Sequence, residues 1–255
     1  MTPWLRRLRD PRADLVALLA AARREVGATV ALLVLAFTAW LFSVVADEVS
    51  EGDTHGVDQA ILDALRVHGH PKQLIGPDWL HTAAADVTAL GSLTNLSLLV
   101  LLVVALMLCL KRWAAAVLVL VGAGGGLALS QGLKLVYGRE RPDAAYRTVE
   151  AINASFPSGH AMLSAVVFLT LGALAARFTE KRRIKALALG AAVLLSLLVG
   201  ISRVYLGVHW ATDVLAGWSL GAGWAMACWL AAWAWERRQA KRGRPAGLKD
   251  GEGEG

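Results

Sequence analysis

Cysteine is scarce in this chain. Only Cys109 and Cys228 occur among its 255 residues. Both lie inside long apolar runs, where a cysteine behaves as a small hydrophobic side chain, and we interpret neither as a disulfide partner or a metal ligand. Cysteine usage therefore argues against a disulfide framework and gives no information on the redox compartment.

Sequence signals for nucleotide and nucleic-acid binding are also absent. The glycine-rich run 122–126 lies in an apolar segment and has no Lys-Ser or Lys-Thr after it, so it is not a Walker-type phosphate loop. Its glycines favour close helix packing instead, as do Gly217 and Gly221 at a GxxxG spacing. The formal net charge of +6 comes from basic residues dispersed among helix ends, without interleaved aromatic side chains. Anionic lipid headgroups are therefore a better partner than nucleic acid.

Charge is nearly absent from six long stretches of the chain. These are residues 26–46, 90–110, 113–136, 161–176, 184–201 and 211–235. A helix of about 20 apolar residues crosses roughly 30 Å of hydrocarbon, so the pattern predicts an all-α bundle of six transmembrane helices. The fourth run reaches spanning length only if its helix begins at Ser158. The first run is too long for a cleavable signal peptide and lacks a small-residue cleavage site.

The charged segments between these runs predict the orientation. Basic residues concentrate at 6–24, 111–112, 177–183 and 237–244, which alternate as the inside segments of a six-span protein. Segment 47–87 instead holds eight acidic residues against Arg66 and Lys72, so we expect it outside. Residues 1–25 are expected to form a basic cytoplasmic leader and 26–235 the six-span domain. Residues 236–255 are expected to form a cytoplasmic tail, basic and then Gly/Glu-rich and disordered.

The outer segment 47–87 is too long for a bare loop. Val57, Ile61 and Leu65 recur at helical spacing, with Asp58 and Asp63 elsewhere, which predicts a short amphipathic helix in the headgroup region between spans one and two. This helix either roofs a site and guides lipid, or is a passive surface helix. The irregular spacing of the segment's four histidines favours solvated loop residues over a metal site.

The first of three short blocks places two cations at the outer end of the third run. Lys134 lies seven residues before Arg141, and Pro142 stiffens the exit. A chain that turns back at Gly138 brings both cations to one point. There Arg141 can fork two phosphate oxygens while Lys134 supplies a point charge. Alternatively, both side chains snorkel to the interface beside Arg139.

The second block, Pro157-Ser158-Gly159-His160, precedes the fourth apolar run. Ser158 or its neighbour is expected to cap a helix whose N–H groups and positive end attract an anion. His160 lies in the first turn, within reach of that anion, where it can protonate a leaving oxygen. The alternative is a helix cap followed by a buried histidine.

The third block combines a cation with a histidine–carboxylate pair. His209 and Asp213 are spaced i and i+4, on one face of the helix that opens the sixth span, with Arg203 upstream. The carboxylate can accept from one ring nitrogen, which leaves the other nitrogen basic and nucleophilic. A lone His-Asp pair is often structural, but a pair beside a third cation and a second histidine is rarely so.

Together the blocks predict a metal-free phosphoryl site. Asp213 is the only acidic residue among the motif positions, whereas metal-assisted phosphoryl transfer requires several carboxylates. Three cations and helix N–H groups would hold a phosphoryl group, one histidine would attack it and another would protonate the departing oxygen. This chemistry is consistent with hydrolysis of a phosphate ester or phosphoanhydride.

The three blocks resemble the signature of the type 2 phosphatidic acid phosphatase superfamily. They read Lys134-x6-Arg141-Pro142, Pro157-Ser158-Gly159-His160 and Ser202-Arg203-x5-His209-x3-Asp213. The resemblance implies that His209 is a nucleophile forming a phosphohistidine, Asp213 its orienting partner and His160 the general acid. It implies that the phosphoryl oxygens bind to Lys134, Arg141, Ser158, Gly159 and Arg203. It implies no metal and no cofactor.

The resemblance further implies an integral-membrane lipid phosphate phosphatase, in a bacterial inner membrane, with an extracytoplasmic active site. Undecaprenyl pyrophosphate is the first expected substrate, because the size and layout are similar to carrier-lipid recycling enzymes. Phosphatidic acid, phosphatidylglycerol phosphate and a lipid A phosphate follow. A lipid-to-lipid phosphotransferase and a non-catalytic lipid-binding or transport protein are the alternatives. The expected partners are the lipid substrate and the bilayer, with no obligate protein partner inferred.

Overall fold

Eight helices and one small β-hairpin make up the computed structural model, which describes residues 11–149 and 153–242. The helices are α1 (Pro11–Glu51), α2 (His55–Ala64), α3 (Asp78–Leu90), α4 (Leu93–Cys109), α5 (Trp113–Tyr137), α6 (Gly159–Arg177), α7 (Arg182–Tyr205) and α8 (Ala211–Arg242). The antiparallel hairpin joins β1 (Arg66–Val67) to β2 (His70–Leu74). The predicted leader 1–25 and tail 236–255 lie partly outside the described residues.

The prediction of an all-α, six-span bundle is confirmed. Five described helices are long and apolar enough to cross a membrane alone: Val26–Glu51 within α1, α5, α6, α7, and Ala211–Gln239 within α8. The sixth candidate is the pair α3 and α4, which meets the same criterion when the two helices are counted together and is bent by 48° between them. Ser92 caps α4 by accepting a hydrogen bond from the Asn95 backbone N–H at 3.2 Å. The apolar run 90–110 therefore folds mainly as α4, after a break that separates it from α3.

The central helix of the bundle is α6, which packs against α5, α7 and α8. It begins at Gly159 with Ser158 as its N-cap, and its residues from Ala161 to Phe168 are all buried. Gly221 brings α8 close to the α6 backbone, because a Cβ on Gly221 would lie 2.5 Å from the Met162 carbonyl oxygen. The close packing predicted for the glycine pair of α8 is present. It holds the N-terminus of α8 beside that of α6.

The predicted amphipathic helix of the outer segment is α2, but its inward face differs from the apolar stripe in the sequence. Val57 is 62% exposed and Ile61 is 39% exposed, whereas Asp58 and Leu62 are buried. The physical reason is an ion pair, since the Asp58 carboxylate lies 2.7 Å from the Arg139 guanidinium. The rest of the segment folds as the β-hairpin and α3, which the sequence analysis did not predict.

Gly221→Ala tests the contact between α8 and α6. The added methyl group would overlap the Met162 carbonyl oxygen, and overpacking of this kind destabilises by about 1–3 kcal/mol. We expect a lower thermal unfolding midpoint, measured by tryptophan fluorescence of the detergent-solubilised protein. Gly190→Ala in α7 is the matched control, because a Cβ there meets nothing within 4 Å and alanine favours a helix. Equal midpoints for the two variants would contradict the close packing.

Candidate active site

The eight site residues predicted from the sequence gather at one end of the bundle. The C-termini of α5 and α7 and the N-termini of α6 and α8 all lie there. These residues are Lys134 in α5, Arg141 in the following loop, Ser158, Gly159 and His160 at the start of α6, Arg203 in α7, His209 two residues before α8, and Asp213 in the first turn of α8. The prediction that His209 lies on the helix itself is wrong, because α8 begins only at Ala211. Electrostatic interactions couple His160 to all three cations and to His209. The geometry thus brings the three sequence blocks into one cluster.

His209 is fully buried between a cation and a carboxylate. Its Nε2 lies 3.1 Å from Arg141 Nη1, and its Nδ1 lies 3.4 Å from Asp213 Oδ2. Because a guanidinium can only donate hydrogen bonds, Nε2 must accept, and the ring proton belongs on Nδ1, facing Asp213. The network therefore assigns the tautomer in which Nε2 keeps its lone pair on the side of the cations.

The Asp213 carboxylate is held by donors on both oxygens. Oδ2 accepts hydrogen bonds from the Trp210 backbone N–H at 2.9 Å and from the Ser155 hydroxyl. Oδ1 accepts from Arg139 Nη1 at 2.6 Å. The Asp213 carbonyl oxygen also accepts from the Ser158 N–H at 3.0 Å, which joins the cap of α6 to α8. Asp213 thus links the histidine to the anion-facing end of α6.

The three cations are held by neutral oxygens. Lys134 Nζ donates to the Ala154 carbonyl oxygen at 2.5 Å, and Arg141 donates from Nη1 to the Val208 carbonyl oxygen at 2.6 Å. Arg203 Nη1 donates to a threonine hydroxyl of α3, that of Thr88, at 3.2 Å. Their positive charge is therefore available to an anionic ligand.

Two of the predicted site residues carry a buried donor that has no hydrogen-bond partner within the described residues. They are Arg203 Nε and the Ser158 hydroxyl. A buried donor left unpaired costs about 1–3 kcal/mol, which an acceptor oxygen would recover. Gly159 also borders the cluster, since a Cβ there would lie 3.5 Å from the Ser130 hydroxyl and 3.8 Å from Lys134 Cε. A phosphoryl group, with several acceptor oxygens, suits these donors.

Arg139 and Ser155 belong to the site but were missed by the sequence analysis. Arg139 enters the sequence analysis only as an interfacial neighbour in the alternative for Lys134 and Arg141, yet its side chain is only 14% exposed and forms ion pairs with Asp58 and Asp213. Ser155 is fully buried beside the His209 ring. The sequence does contain one indication that these two residues belong to the site, because each lies within three residues of a motif residue.

The histidines of the outer segment do not form a candidate metal site in the part of the chain that the structure describes. Over residues 26–149 and 153–239, no three His, Cys, Asp or Glu side chains are arranged to hold a metal ion. His55 packs its ring edge-on against Trp210, and His81 lies against Tyr205. These two rings attach the outer segment to the 205–210 connection.

Burial controls the protonation of His209. Loss of solvation lowers the pKa of His209 to about 3, and the positive charges of Arg141 and Arg203 act in the same direction. The Asp213 carboxylate opposes this shift through its hydrogen bond and its charge. The ring is therefore neutral at physiological pH, which is the form that can act as a nucleophile.

The fold and the site together define a class of protein. It is a helical membrane protein in which a neutral histidine, backed by a carboxylate, faces a cluster of cations suited to phosphoryl chemistry. The model of the PAP2 superfamily matches residues 96–237. The match covers more than half of the chain, and the chain belongs to this superfamily.

Individual relatives agree with this membership. Phosphatidylglycerophosphatase B of Bacillus subtilis (strain 168) is 34% identical over 183 residues, which are 71% of this chain and 85% of that protein. An undecaprenyl-diphosphatase of Sulfolobus acidocaldarius is 43% identical over 68 residues, which are 27% of this chain and 29% of that protein. The crystal structure of a transmembrane PAP2-type phosphatidylglycerolphosphate phosphatase from Bacillus subtilis has a TM-score of 0.70 at 30% identity, and the match covers 82% of this chain and 98% of that chain. The predicted resemblance is confirmed, and the chain is a membrane lipid phosphatase.

The protonation state of His209 can be measured directly. We expect ¹⁵N shifts of labelled histidine to show a neutral ring with its proton on Nδ1 from pH 7 down to pH 5, because a lowered pKa keeps the ring neutral where free histidine gains a proton. His209→Gln assigns the signal, and free histidine in the same buffer is the control. A titration midpoint near 6.5 would contradict the burial argument.

Proposed function

We propose that this protein hydrolyses lipid phosphates or diphosphates without a metal ion, through a phosphohistidine formed on His209. The observation that carries the proposal is the orientation of the His209 ring. Nε2 faces Arg141 at 3.1 Å, on the cation side, while Nδ1 faces the Asp213 carboxylate. When Arg141 Nη1 donates to a phosphoryl oxygen instead of to Nε2, the bound phosphoryl group would therefore meet the Nε2 lone pair.

In the first step, Nε2 of His209 attacks phosphorus, and the bond from phosphorus to the leaving oxygen breaks. Lys134, Arg141 and Arg203 stabilise the charge of the phosphoryl oxygens, together with the N–H groups at the start of α6. His160 donates a proton to the leaving alcohol or phosphate. The Asp213 carboxylate stabilises the cationic ring, because it accepts the Nδ1 hydrogen bond.

In the second step, a water molecule attacks phosphorus and the bond to Nε2 breaks. His160, which lost its proton in the first step, accepts one from this water, so both histidines return to their starting states. Inorganic phosphate leaves. A lipid-to-lipid phosphotransferase would use the same site with a lipid hydroxyl in place of water.

Two substrates come first in this proposal. The relative matched over 85% of its length is named a phosphatidylglycerophosphatase, which favours phosphatidylglycerol phosphate. The shorter match to an undecaprenyl-diphosphatase supports undecaprenyl pyrophosphate, the substrate expected from the sequence. Phosphatidic acid follows.

We also propose that the site faces away from the cytoplasm in a bacterial inner membrane. The acidic outer segment, which carries Asp58, lies at the site end of the bundle. Basic residues occupy the connections at the opposite end: Lys111 and Arg112 between α4 and α5, and Lys181 before α7. Positive charge near span ends marks the cytoplasmic side.

Phosphate release from purified protein tests the reaction. With EDTA present, we expect turnover of phosphatidylglycerol phosphate, undecaprenyl pyrophosphate or phosphatidic acid by the wild type and by His68→Ala, an exposed outer-segment control. We expect none from His209→Ala, because the nucleophile is lost. An acid-labile, alkali-stable phosphoprotein should form only when His209 is present. Activity that survives His209→Ala, or disappears with EDTA, would contradict the mechanism.

Cysteine labelling in intact cells tests the orientation. In a background with Cys109→Ser and Cys228→Ser, a membrane-impermeant maleimide is expected to label Lys72→Cys at the site end. It should leave Glu180→Cys, at the opposite end, unlabelled until the cells are permeabilised. Both native side chains are exposed, so access alone does not separate them. The reverse labelling pattern would place the site in the cytoplasm.

A further inference from the structure

Arg139 forms a buried bridge between two carboxylates. Its Nη1 lies 2.6 Å from Asp213 Oδ1, and its Nη2 lies 2.7 Å from Asp58 Oδ2. Both carboxylates are fully buried. The arrangement uses the planar fork of arginine, whose separate N–H groups reach two acceptors in fixed directions. One side chain thus connects the outer helix α2 to the pair that holds His209.

The Asp58 side of the bridge is fully hydrogen-bonded. Its Oδ1 accepts from the Thr212 backbone N–H at 3.0 Å, and its Oδ2 accepts from the Thr212 hydroxyl at 2.6 Å. Arg139 also donates to the Thr212 hydroxyl at 2.8 Å and to the Thr54 hydroxyl at 3.1 Å. Asp58 therefore sits at the N-terminus of α8, where negative charge is favourable. The bridge is ordered at both ends.

The Asp213 side of the bridge decides which oxygen meets the histidine. With Oδ1 fixed on Arg139, only Oδ2 faces the His209 ring, beside the Ser155 hydroxyl and the Trp210 N–H. Rotation of the carboxylate would break the contact with Arg139. The Nδ1 hydrogen bond, and with it the direction of Nε2, depends on this constraint.

We propose that Arg139 and Asp58 are positioning residues for His209, acting through the Asp213 carboxylate; this inference rests on the proposed function. Arg139 orients Asp213, and Asp58 partly neutralises the positive charge of Arg139. Because Arg139 is partly neutralised, the negative charge of Asp213 can still stabilise the His209 ring when that ring becomes cationic. Neither residue touches the phosphoryl group.

Arg139 and Asp58 are expected to have opposite electrostatic effects on His209. Removing the positive Arg139 makes the surroundings of His209 more negative, which favours the protonated ring. Removing the negative Asp58 leaves Arg139 to act on Asp213 alone, which disfavours the protonated ring. Other charged or titratable groups surround His209 and are the same in every variant: Arg141 from the loop, His160 from α6, Arg203 from α7 and Asp213 from α8, with Lys134 of α5 acting on the adjacent His160.

The experiment measures kcat, KM and the acid limb of the kcat profile in detergent, together with the ¹⁵N titration of His209. For Arg139→Gln we expect the acid limb and the His209 titration to move to higher pH, and for Asp58→Asn to lower pH, each by about 0.5–1 unit. We expect kcat to fall about 10–100-fold in both, as when the partner of a functional histidine is removed. KM should change little, because the phosphate-binding cations are intact.

Two further variants separate positioning from a structural role. Arg139→Lys keeps the charge but cannot reach both carboxylates with a rigid fork, so we expect reduced kcat with the acid limb near that of the wild type. Arg66→Gln removes another buried cation, which donates to the Tyr146 and Tyr205 carbonyl oxygens but not to Asp213. It should lower the thermal midpoint without moving the acid limb.

The outcomes distinguish this inference from the proposed function. Shifts of the same sign in Arg139→Gln and Asp58→Asn, or no shift in either, with an active wild type and an inactive His209→Ala, overturn the positioning role alone. A wild type that releases no phosphate, or an active His209→Ala, overturns the proposed function. If Arg139→Gln does not fold, the Asp58→Asn variant alone tests the positioning role. Its acid limb and its His209 titration must then move to lower pH, and the absence of that shift overturns the role.

Discussion

The Asp213 carboxylate is the group on which the rest of the site depends. It is fully buried, and it joins three parts of the chain that are far apart in sequence: the loop that carries Arg139 and Ser155, the start of α6 and the start of α8. A buried carboxylate is tolerated only when donors surround it. Those same donors fix the geometry of His209. The same hydrogen bonds therefore stabilise the buried charge of Asp213 and orient the His209 ring.

The hydrocarbon environment of the helices explains why the site lies at their ends. Inside the hydrocarbon every backbone group must be paired within the protein, so irregular chain is confined to the bundle ends or to buried surroundings. The loop 138–158 and the 206–210 connection supply carbonyl oxygens that hold Lys134 and Arg141. The glycine contact between α8 and α6 brings two helix N-termini together at the same place. Helix packing in the membrane thus assembles an anion site at its edge.

Much of this arrangement could be predicted from sequence, because the apolar runs and the three motif blocks each have a local signal. The start of α6 followed from Ser158. The contact between His209 and Asp213 was also predicted, although His209 lies before α8 and not on its face. The β-hairpin, the bend at Ser92 and the inward face of α2 could not be predicted. Asp58 is buried because of Arg139, 81 residues away in the chain. A partner at that distance leaves no periodic trace, so the apolar stripe of Val57 and Ile61 does not reveal that the Asp58 side of α2 packs against the bundle.

The distribution of charge within the site favours a phosphate dianion over other ligands. Within the described part of the chain, the two buried carboxylates, Asp58 and Asp213, both form ion pairs with Arg139, whereas Lys134, Arg141 and Arg203 have no carboxylate within 4.0 Å. Had the acids paired with these three cations, a ligand would have had to displace them. Because Arg139 engages both acids, positive charge stays concentrated beside His209 Nε2. In the proposed mechanism, substrate binding would neutralise charge that the protein itself leaves uncompensated, and electrostatic stabilisation would be strongest where His209 attacks phosphorus.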